Sequence, residues 1–245
     1  MPQERTYRSQ IDHERLMSFR VIVKETDLFI QASRDLAAQA KESILLHRGY
    51  IESFIQRHPD FSASLVPLQF LKPVPVIIAD MLAAASVSGV GPMAAVAGAI
   101  AEHVGFDLLQ FSDEIIIENG GDVFIRTNQP VTIAIFANRS PLNMRMGLEI
   151  DSCDGPMAVC TSSGTVGHSI SFGTADAVTV VSRSCAVADA AATAIANRVK
   201  QKTDVQEAIY FGKDIKGVKG LIVIKNDKAG MWGDINVVRI QQNKG

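Results

Sequence analysis

Only three cysteines, Cys153, Cys160 and Cys185, occur in the 245 residues, and no two form a Cys-x-x-Cys pair. That excludes a disulfide framework of the secreted kind and points to a reducing, cytoplasmic setting. No charge sign dominates. The 24 Lys and Arg and 26 Asp and Glu leave a net −2, and no basic block stands out. Neither nucleic acid nor an anionic membrane surface is therefore an expected partner. No long uninterrupted apolar run exists either. The most apolar stretch, Val74 to Ala101, is broken by Pro75, Asp80, Ser86, Ser88, Gly89, Gly91 and Pro92. It reads as buried protein and not as a membrane span. The start, Met1-Pro2-Gln3-Glu4-Arg5, is polar and leads into no apolar core, so no secretory peptide is expected. Repeats, low-complexity segments and linkers are absent. With 47% hydrophobic and 20% charged residues, the chain is expected to form one globular domain over 1–245, with residues 1–16 as a loose polar arm.

What is present reads as mixed helix and antiparallel strand. Phe19 to Val23 and Leu28 to Ala32 suggest a hairpin turned at Glu25-Thr26-Asp27. Ser33 or Asp35 can cap a helix running to about Arg57, where Pro59 stops it. Residues 59 to 75 hold four prolines and read as an irregular connection. A helix is expected from Val76 to Ala85, and another from Met93 to Val104 with Pro92 in its first turn. Strands are expected at Glu114–Glu118, Val123–Arg126, Val131–Ala137, Asn143–Ile150, Met157–Thr161 and Ala177–Ser182. Asp154-Gly155 is a turn. A helix carrying Asp189 should run to about Gln201. Gly220–Lys225 and Ile235–Ile240 read as a closing hairpin. The order favours an α+β fold over a doubly wound one.

Several segments invite a chemical reading beside a structural one. Ser88-Gly89-Val90-Gly91-Pro92 precedes a helix and so suits an anion, or is a plain turn and cap. No Gly-Lys-Ser/Thr follows it, so it is not a P-loop. Asn119-Gly120-Gly121-Asp122 can present backbone N–H groups to a ligand with Asp122 as acceptor, or is a tight turn needing positive φ. Asp189 and Thr193 lie four apart on a small-residue helix, hence on one face. They suit a hard cation such as magnesium, or are an early-helix acid and a back-bonded Thr. His168 lies in the Gly/Ser-rich segment Ser162 to Ser169, where a neutral imidazole can act as a base or phosphate partner. The other histidines, His13, His47, His58 and His103, have no motif around them. Cys185, at a helix start, is a reactive thiol or a small buried residue.

Taken in order, these segments resemble the ApbE family, the FAD-dependent protein FMN transferases once described as thiamine-biosynthesis lipoproteins. Gly91-Pro92-Met93-Ala94-Ala95-Val96 sits where that family has Gly-Gly-Ile-Ala-Lys-Gly. Asn119-Gly120-Gly121-Asp122 is similar to its Asn-x-Gly-Gly-Asp turn. Ala158-Val159-Cys160-Thr161-Ser162-Ser163-Gly164 is similar to its Ala-Thr-Ser-Gly strand end. The run Val178 to Ala194 closely matches Ser-Val-Thr-Val-Val-Ala-x-Ser-Cys-x-x-Ala-Asp-Ala-Leu-Ala-Thr-Ala. The resemblance implies an α+β, T-fold-related architecture of largely antiparallel sheets packed with helices. It also implies a Mg2+ site made by Asp189, Thr193 and the Ala94 carbonyl. FAD or FMN would be bound by Gly91, Ala94, Asn119, Gly120, Gly121, Asp122, Thr161, Ser163 and Gly164, with His168 near the phosphates. Implied partners are a flavin nucleotide or other phosphate-bearing small molecule, an acceptor protein modified on Thr or Ser, and a second copy in a homodimer.

The sequence also departs from the family. Ala95 replaces the Lys, and Ser169 to Thr174 stand where the family has Asp-Pro-Arg-Thr-Gly. In this the chain looks like the short ApbE-like branch of anaerobic bacteria and archaea, linked to sulfide assimilation and homocysteine formation. Two readings follow: magnesium-dependent FMN transfer, or an accessory binding protein of anaerobic sulfur metabolism.

Overall fold

The computed structural model describes residues 16–70, 72–164 and 172–240. The expected N-terminal arm lies outside the described residues except for its last residue. Eight strands form one antiparallel sheet: β1 (Met17–Val23), β2 (Thr26–Ala32), β3 (Ile115–Asn119), β4 (Asp122–Arg126), β7 (Met157–Ser162), β8 (Ala177–Ser182), β9 (Val218–Lys225) and β10 (Lys228–Gly233), in the order β1-β2-β3-β4-β7-β8-β9-β10. The excursion between β4 and β7 makes β5 (Val131–Ala134) and β6 (Met146–Ile150). With the last strand, β11 (Asn236–Arg239), they form a second sheet in the order β11-β6-β5.

Strand alternation sorts the large sheet's side chains between two cores. Ile115, Ile117, Phe124, Ala158, Cys160, Val178 and Val180 join the core shared with the helices. Ile116, Val123, Ile125, Val159, Ala177 and Val181 join the one shared with the small sheet's Val131, Ile133, Leu148 and Ile150. The helices are α1 (Ala37–Arg57), α2 (Asp60–Ala63), α3 (Val76–Ser88), α4 (Val96–Leu108), α5 (Cys185–Ala196) and α6 (Val205–Lys213). The expected α+β class stands, with every strand pairing antiparallel.

Several boundaries move for local reasons. The first hairpin turns at Lys24-Glu25 and not at Glu25 to Asp27, since Val23 pairs with Thr26 and Lys24 takes φ 52°. Neither candidate is the N-cap, which is Leu36; Asp35 just before it accepts from the Ala37 N–H at 2.9 Å, while Ser33 bonds Ser112. Pro92 opens a 3-10 turn, Pro92–Ala95, and α4 proper starts only at Val96. The Asp189 helix ends at Ala196, short of Gln201. The closing hairpin is a different one: β9 pairs with β10, whereas Asn236–Arg239 crosses to β6. The apolar stretch from Val74 becomes α3 and α4 packed in the core. No single helix among the described residues is long and apolar enough to cross a membrane.

The helix layer carries a half-buried polar cluster that no sequence motif marks. His47 Nε2 lies 2.9 Å from Asp107, which also accepts from Ser43 at 2.6 Å. His103 Nε2 lies 2.8 Å from Asp80, and the two imidazole centroids are 4.9 Å apart. Nδ1 of His47 is buried without a partner. Burial holds His47 below its ordinary value; the Asp107 bond opposes this and His103 adds to it. A histidine depressed in the folded state gives stability that is complete above the unfolded value of about 6.5 and is lost as pH falls from there through the lower folded value. Melting temperature should therefore fall between pH 7.5 and 5.5 more steeply in the wild type than in His47→Gln, whose amide can still donate to Asp107. Parallel profiles for the two proteins would contradict this.

Candidate functional site

The helix-facing side of β3, β4 and β7 ends in polar groups. Asn119 and Asp122 flank a two-residue turn of Gly120 (φ 69°) and Gly121 (φ 116°), and they pair with each other across it. Positive φ at both central positions is what glycine supplies and what the twist of a tight hairpin requires. The Gly121 N–H donates to Glu118 at 2.9 Å, and the Gly121 carbonyl accepts from Thr161 at 3.2 Å. Asn119 reaches across to α4, donating from Nδ2 to the Ala97 carbonyl at 2.9 Å.

Opposite this turn stands α5. Ser184 is its N-cap, accepting from the Val187 N–H. Its face of small side chains lies against α4, and Gly98 marks the closest approach: a Cβ there would stand 2.4 Å from the Cys185 carbonyl oxygen and 2.9 Å from Asp189 Cβ. That contact lets Asp189 reach the start of α4, where its Oδ2 accepts from the Gly98 N–H at 2.9 Å; Ala97 N–H also donates to the carboxylate. These N–H groups belong to the first turn, which a helix cannot satisfy internally. Asp189 thus acts on the dipole of α4 and not on that of its own helix. In the Ser88 to Pro92 segment the N–H groups of Gly89 and Val90 bond the Ala85 carbonyl, with Gly89 (φ 73°) the C-cap of α3, while the first-turn donors of α4 at Ala97 and Gly98 face Asp189.

Electrostatically the junction is acidic. Burial pushes Asp189 up to about 7, with the two N–H bonds opposing. Asp122 is raised well above the carboxylate range, first by burial and then by the charge of Asp189; the Cys160 thiol bond opposes this. Among the described residues, no Lys or Arg is one of the main groups acting on either carboxylate. Thr193, one turn beyond Asp189, is buried. Among the described residues no three His, Cys, Asp or Glu side chains converge as a metal cluster. A cation here would be held by a mixture of carboxylate, hydroxyl and backbone oxygens, which fits a hard ion such as magnesium better than zinc.

The remaining candidate residues divide. Ala94 lies in the 3-10 turn, which packs against α5. Gly91 is committed elsewhere: a Cβ on it would stand 1.8 Å from the Ser64 carbonyl oxygen, so it admits the 59–75 connection. Thr161 offers its backbone to the Gly121 end, while its hydroxyl pairs with Thr179 at 2.9 Å. Ser163 and Gly164 leave β7 beside α5: Gly164 abuts Gly173, and Gly173 abuts the Ala196 carbonyl. His168 lies outside the described residues. Cys160 and Cys185 are buried and free, and Cys153 is exposed. Burial raises Cys185 to about 11, so it is a buried small residue and no thiolate nucleophile.

Sequence reading missed Gly98 and Glu102. Glu102 Oε2 accepts from Ser184 Oγ at 2.9 Å and from the Ala186 N–H at 3.1 Å. The only signal available was the i, i+4 spacing of Gly98 and Glu102.

Known proteins resemble this chain in sequence and in fold. A sequence profile described as AbpE bacteria matches residues 8–216. A UPF0280 protein of Methanopyrus kandleri is 40% identical over 227 residues, covering 89% of this chain and 91% of its own length. A UPF0280 protein of Methanocaldococcus jannaschii is 39% identical over 222 residues, covering 88% and 90%. Among solved structures, the ApbE protein of Thermotoga maritima superposes with a TM-score of 0.59 at 14% identity, over 85% of this chain and 94% of that one. The apo flavinyl transferase ApbE of Pseudomonas stutzeri does so with a TM-score of 0.57 at 15% identity, over 89% and 94%. Likeness at such identities carries the fold, and the profile and the archaeal relatives carry the family: the chain belongs to the ApbE-like family described as AbpE bacteria.

Proposed function

We propose that the junction of α4, the Gly120-Gly121 turn and α5 is a magnesium-dependent flavin-nucleotide site, and that its reaction is transfer of FMN from FAD to a Thr or Ser of an acceptor protein. The observation that carries this reading is the junction of two acids, Asp122 buried and Asp189 half-buried, each raised by its removal from water, with the charge of Asp189 acting on Asp122 and no Lys or Arg among the main groups acting on either in the described residues. Two acids crowded together away from water either take up protons or share a cation, and a cation bound there would draw both back to the charged form. Asp189, Thr193 and the Ala94 carbonyl would hold the cation. Asn119, Gly120, Gly121 and Asp122 would border the nucleotide, with Thr161, Ser163 and Gly164 at the adjoining strand end and Gly91 behind the 3-10 turn. His168 would serve the phosphates. Bound there, magnesium would offset pyrophosphate charge and favour departure of AMP. The protein's own part is to fix the carboxylate through Gly98 and to keep the turn's backbone open through two glycines. We read residues 1–245 as one unit, because the large sheet draws strands from both ends of the described chain.

One observation favours the accessory-protein reading. Ala95, at the family's Lys position, is fully buried, so no cation from that site meets the phosphates. The test is incubation with FAD, with and without magnesium, following flavin fluorescence and AMP release. Magnesium-dependent binding with AMP release is expected. Binding without AMP release would leave the accessory reading; no binding in either condition would remove the flavin site altogether.

A further inference from the structure

Helices α4 and α5 cap each other. Asp189 of α5 accepts from the first-turn N–H of Gly98, and Glu102 of α4 accepts from the first-turn N–H of Ala186 and from the hydroxyl of the Ser184 cap. Ala95, the N-cap of α4, makes no side-chain cap of its own. Gly98 lies between the two carboxylates and permits the contact with Cys185. Residues 98 and 102 ascend α4 while their partners descend α5, so the two bonds act as opposed ends of one clasp. They resist both sliding and rotation of one helix on the other.

We infer that Glu102, a residue with no place among the expected ligands, is a positioning residue for the cation site and acts through α5. The inference rests on the cation reading of Asp189 and Thr193 and deepens it. The Asp189 carboxylate is tied to α4, so the direction of its remaining lone pairs depends on how α5 lies on α4. The Glu102 bonds hold the start of α5, one turn before Asp189. Groups that orient a ligand without touching the metal typically change metal affinity by about 10- to 100-fold. Both donors converge on the single oxygen Oε2. A glutamine oxygen in that place can accept both bonds, so the clasp needs the acceptor and not the charge.

The experiment is isothermal titration of the full chain with magnesium chloride, well below each variant's melting temperature. Glu102→Ala is expected to weaken magnesium binding by about 10- to 100-fold, and Glu102→Gln to restore wild-type affinity to within about threefold. Asp204→Ala is the control for mere destabilisation. It removes the carboxylate that accepts from Lys200 and Gln201 at the turn before α6, and it should leave affinity unchanged while lowering the melting temperature. If Glu102→Ala does not fold, Ser184→Ala carries the test, with an expected loss of about tenfold. Wild-type affinity in Glu102→Ala or Ser184→Ala overturns the inference, as does a Glu102→Gln variant no better than Glu102→Ala. If the wild type itself takes up no magnesium, the cation reading falls and the inference with it; if the wild type binds and Glu102→Ala binds equally well, the inference alone falls.

Discussion

Asp189→Asn is expected to make the metal-free protein more heat-stable and to abolish its response to magnesium. Burial raises the Asp189 carboxylate from 3.8 to about 7. A carboxyl whose folded value is raised costs the folded state stability. The cost starts as pH rises past the unfolded value and is complete above the folded one. At pH 8 the wild type bears all of it. The Asn side chain bears none, and its amide oxygen can keep the Gly98 bond. It also relieves Asp122, which the Asp189 charge pushes further up. A gain on the order of 2 kcal/mol is expected, or about 5 °C in a chelator-treated sample. Magnesium should reverse the ranking. A ligand at about a hundred times its Kd adds about 2.7 kcal/mol to whichever protein binds it, and only the wild type should gain. AMP release in the variant should fall by about a thousandfold, since a metal contributes several kcal/mol to such a step. Two results would sink the idea: an equal magnesium shift in both proteins, or a metal-free variant less stable than the wild type. The second would mean that the carboxylate's hold on α4 outweighs the cost of burying it.

That balance between two roles of one carboxylate was half legible in the sequence. Asp189 and Thr193 at i, i+4 in an alanine-rich run fixed the helix and its shared face, because helical spacing is local. Asn119-Gly120-Gly121-Asp122 was equally legible, since two glycines between apolar runs leave few alternatives to a tight hairpin. What Asp189 bonds to was not legible. Gly98 lies 91 positions away, and the bond exists only because two helices touch where one lacks a Cβ. The closing hairpin went astray for a different reason. β10 reads Lys-Ala-Gly-Met-Trp-Gly and sits at a sheet edge with four of its six residues exposed, so no apolar alternation marks it, while Val237 and Val238 in β11 gave the stronger local signal. The true turn, Asn226-Asp227 with Asn226 at φ 55°, was the cue available. Helix α6 was overlooked although Val205, Ala208, Ile209 and Gly212 keep helical spacing and are buried. Nine residues flanked by charged ones give periodicity little room to declare itself.

Gly98→Ala should be one of the most damaging single-methyl additions within the described helices, against the ordinary rule for helices. Replacing glycine by alanine inside a helix usually stabilises by about 1 kcal/mol, because glycine loses more backbone freedom on folding. Gly49 in α1 shows where the rule should hold. Its added Cβ meets nothing within 4 Å, and Gly49→Ala is expected to gain about 0.5–1 kcal/mol. At Gly98 the same methyl would lie 2.4 Å from a backbone carbonyl oxygen. That atom is no flexible side-chain end and cannot swing aside, so α4 must retreat from α5. Overpacking of this kind costs about 1–3 kcal/mol, and withdrawal also lengthens the bonds to Asp189 and Glu102 that hold the two helices together. The net effect expected is a loss of about 3 kcal/mol or more, seen as a lower urea midpoint. The folded fraction should also bind magnesium more weakly, because the methyl lies within 2.9 Å of Asp189 Cβ. Opposite signs for Gly49→Ala and Gly98→Ala in the same denaturation series would place the close crossing of α4 and α5 at the centre of the site's construction. A stabilised Gly98→Ala would mean that the helices yield freely there, and the geometry on which the carboxylate clasp depends would have to be abandoned.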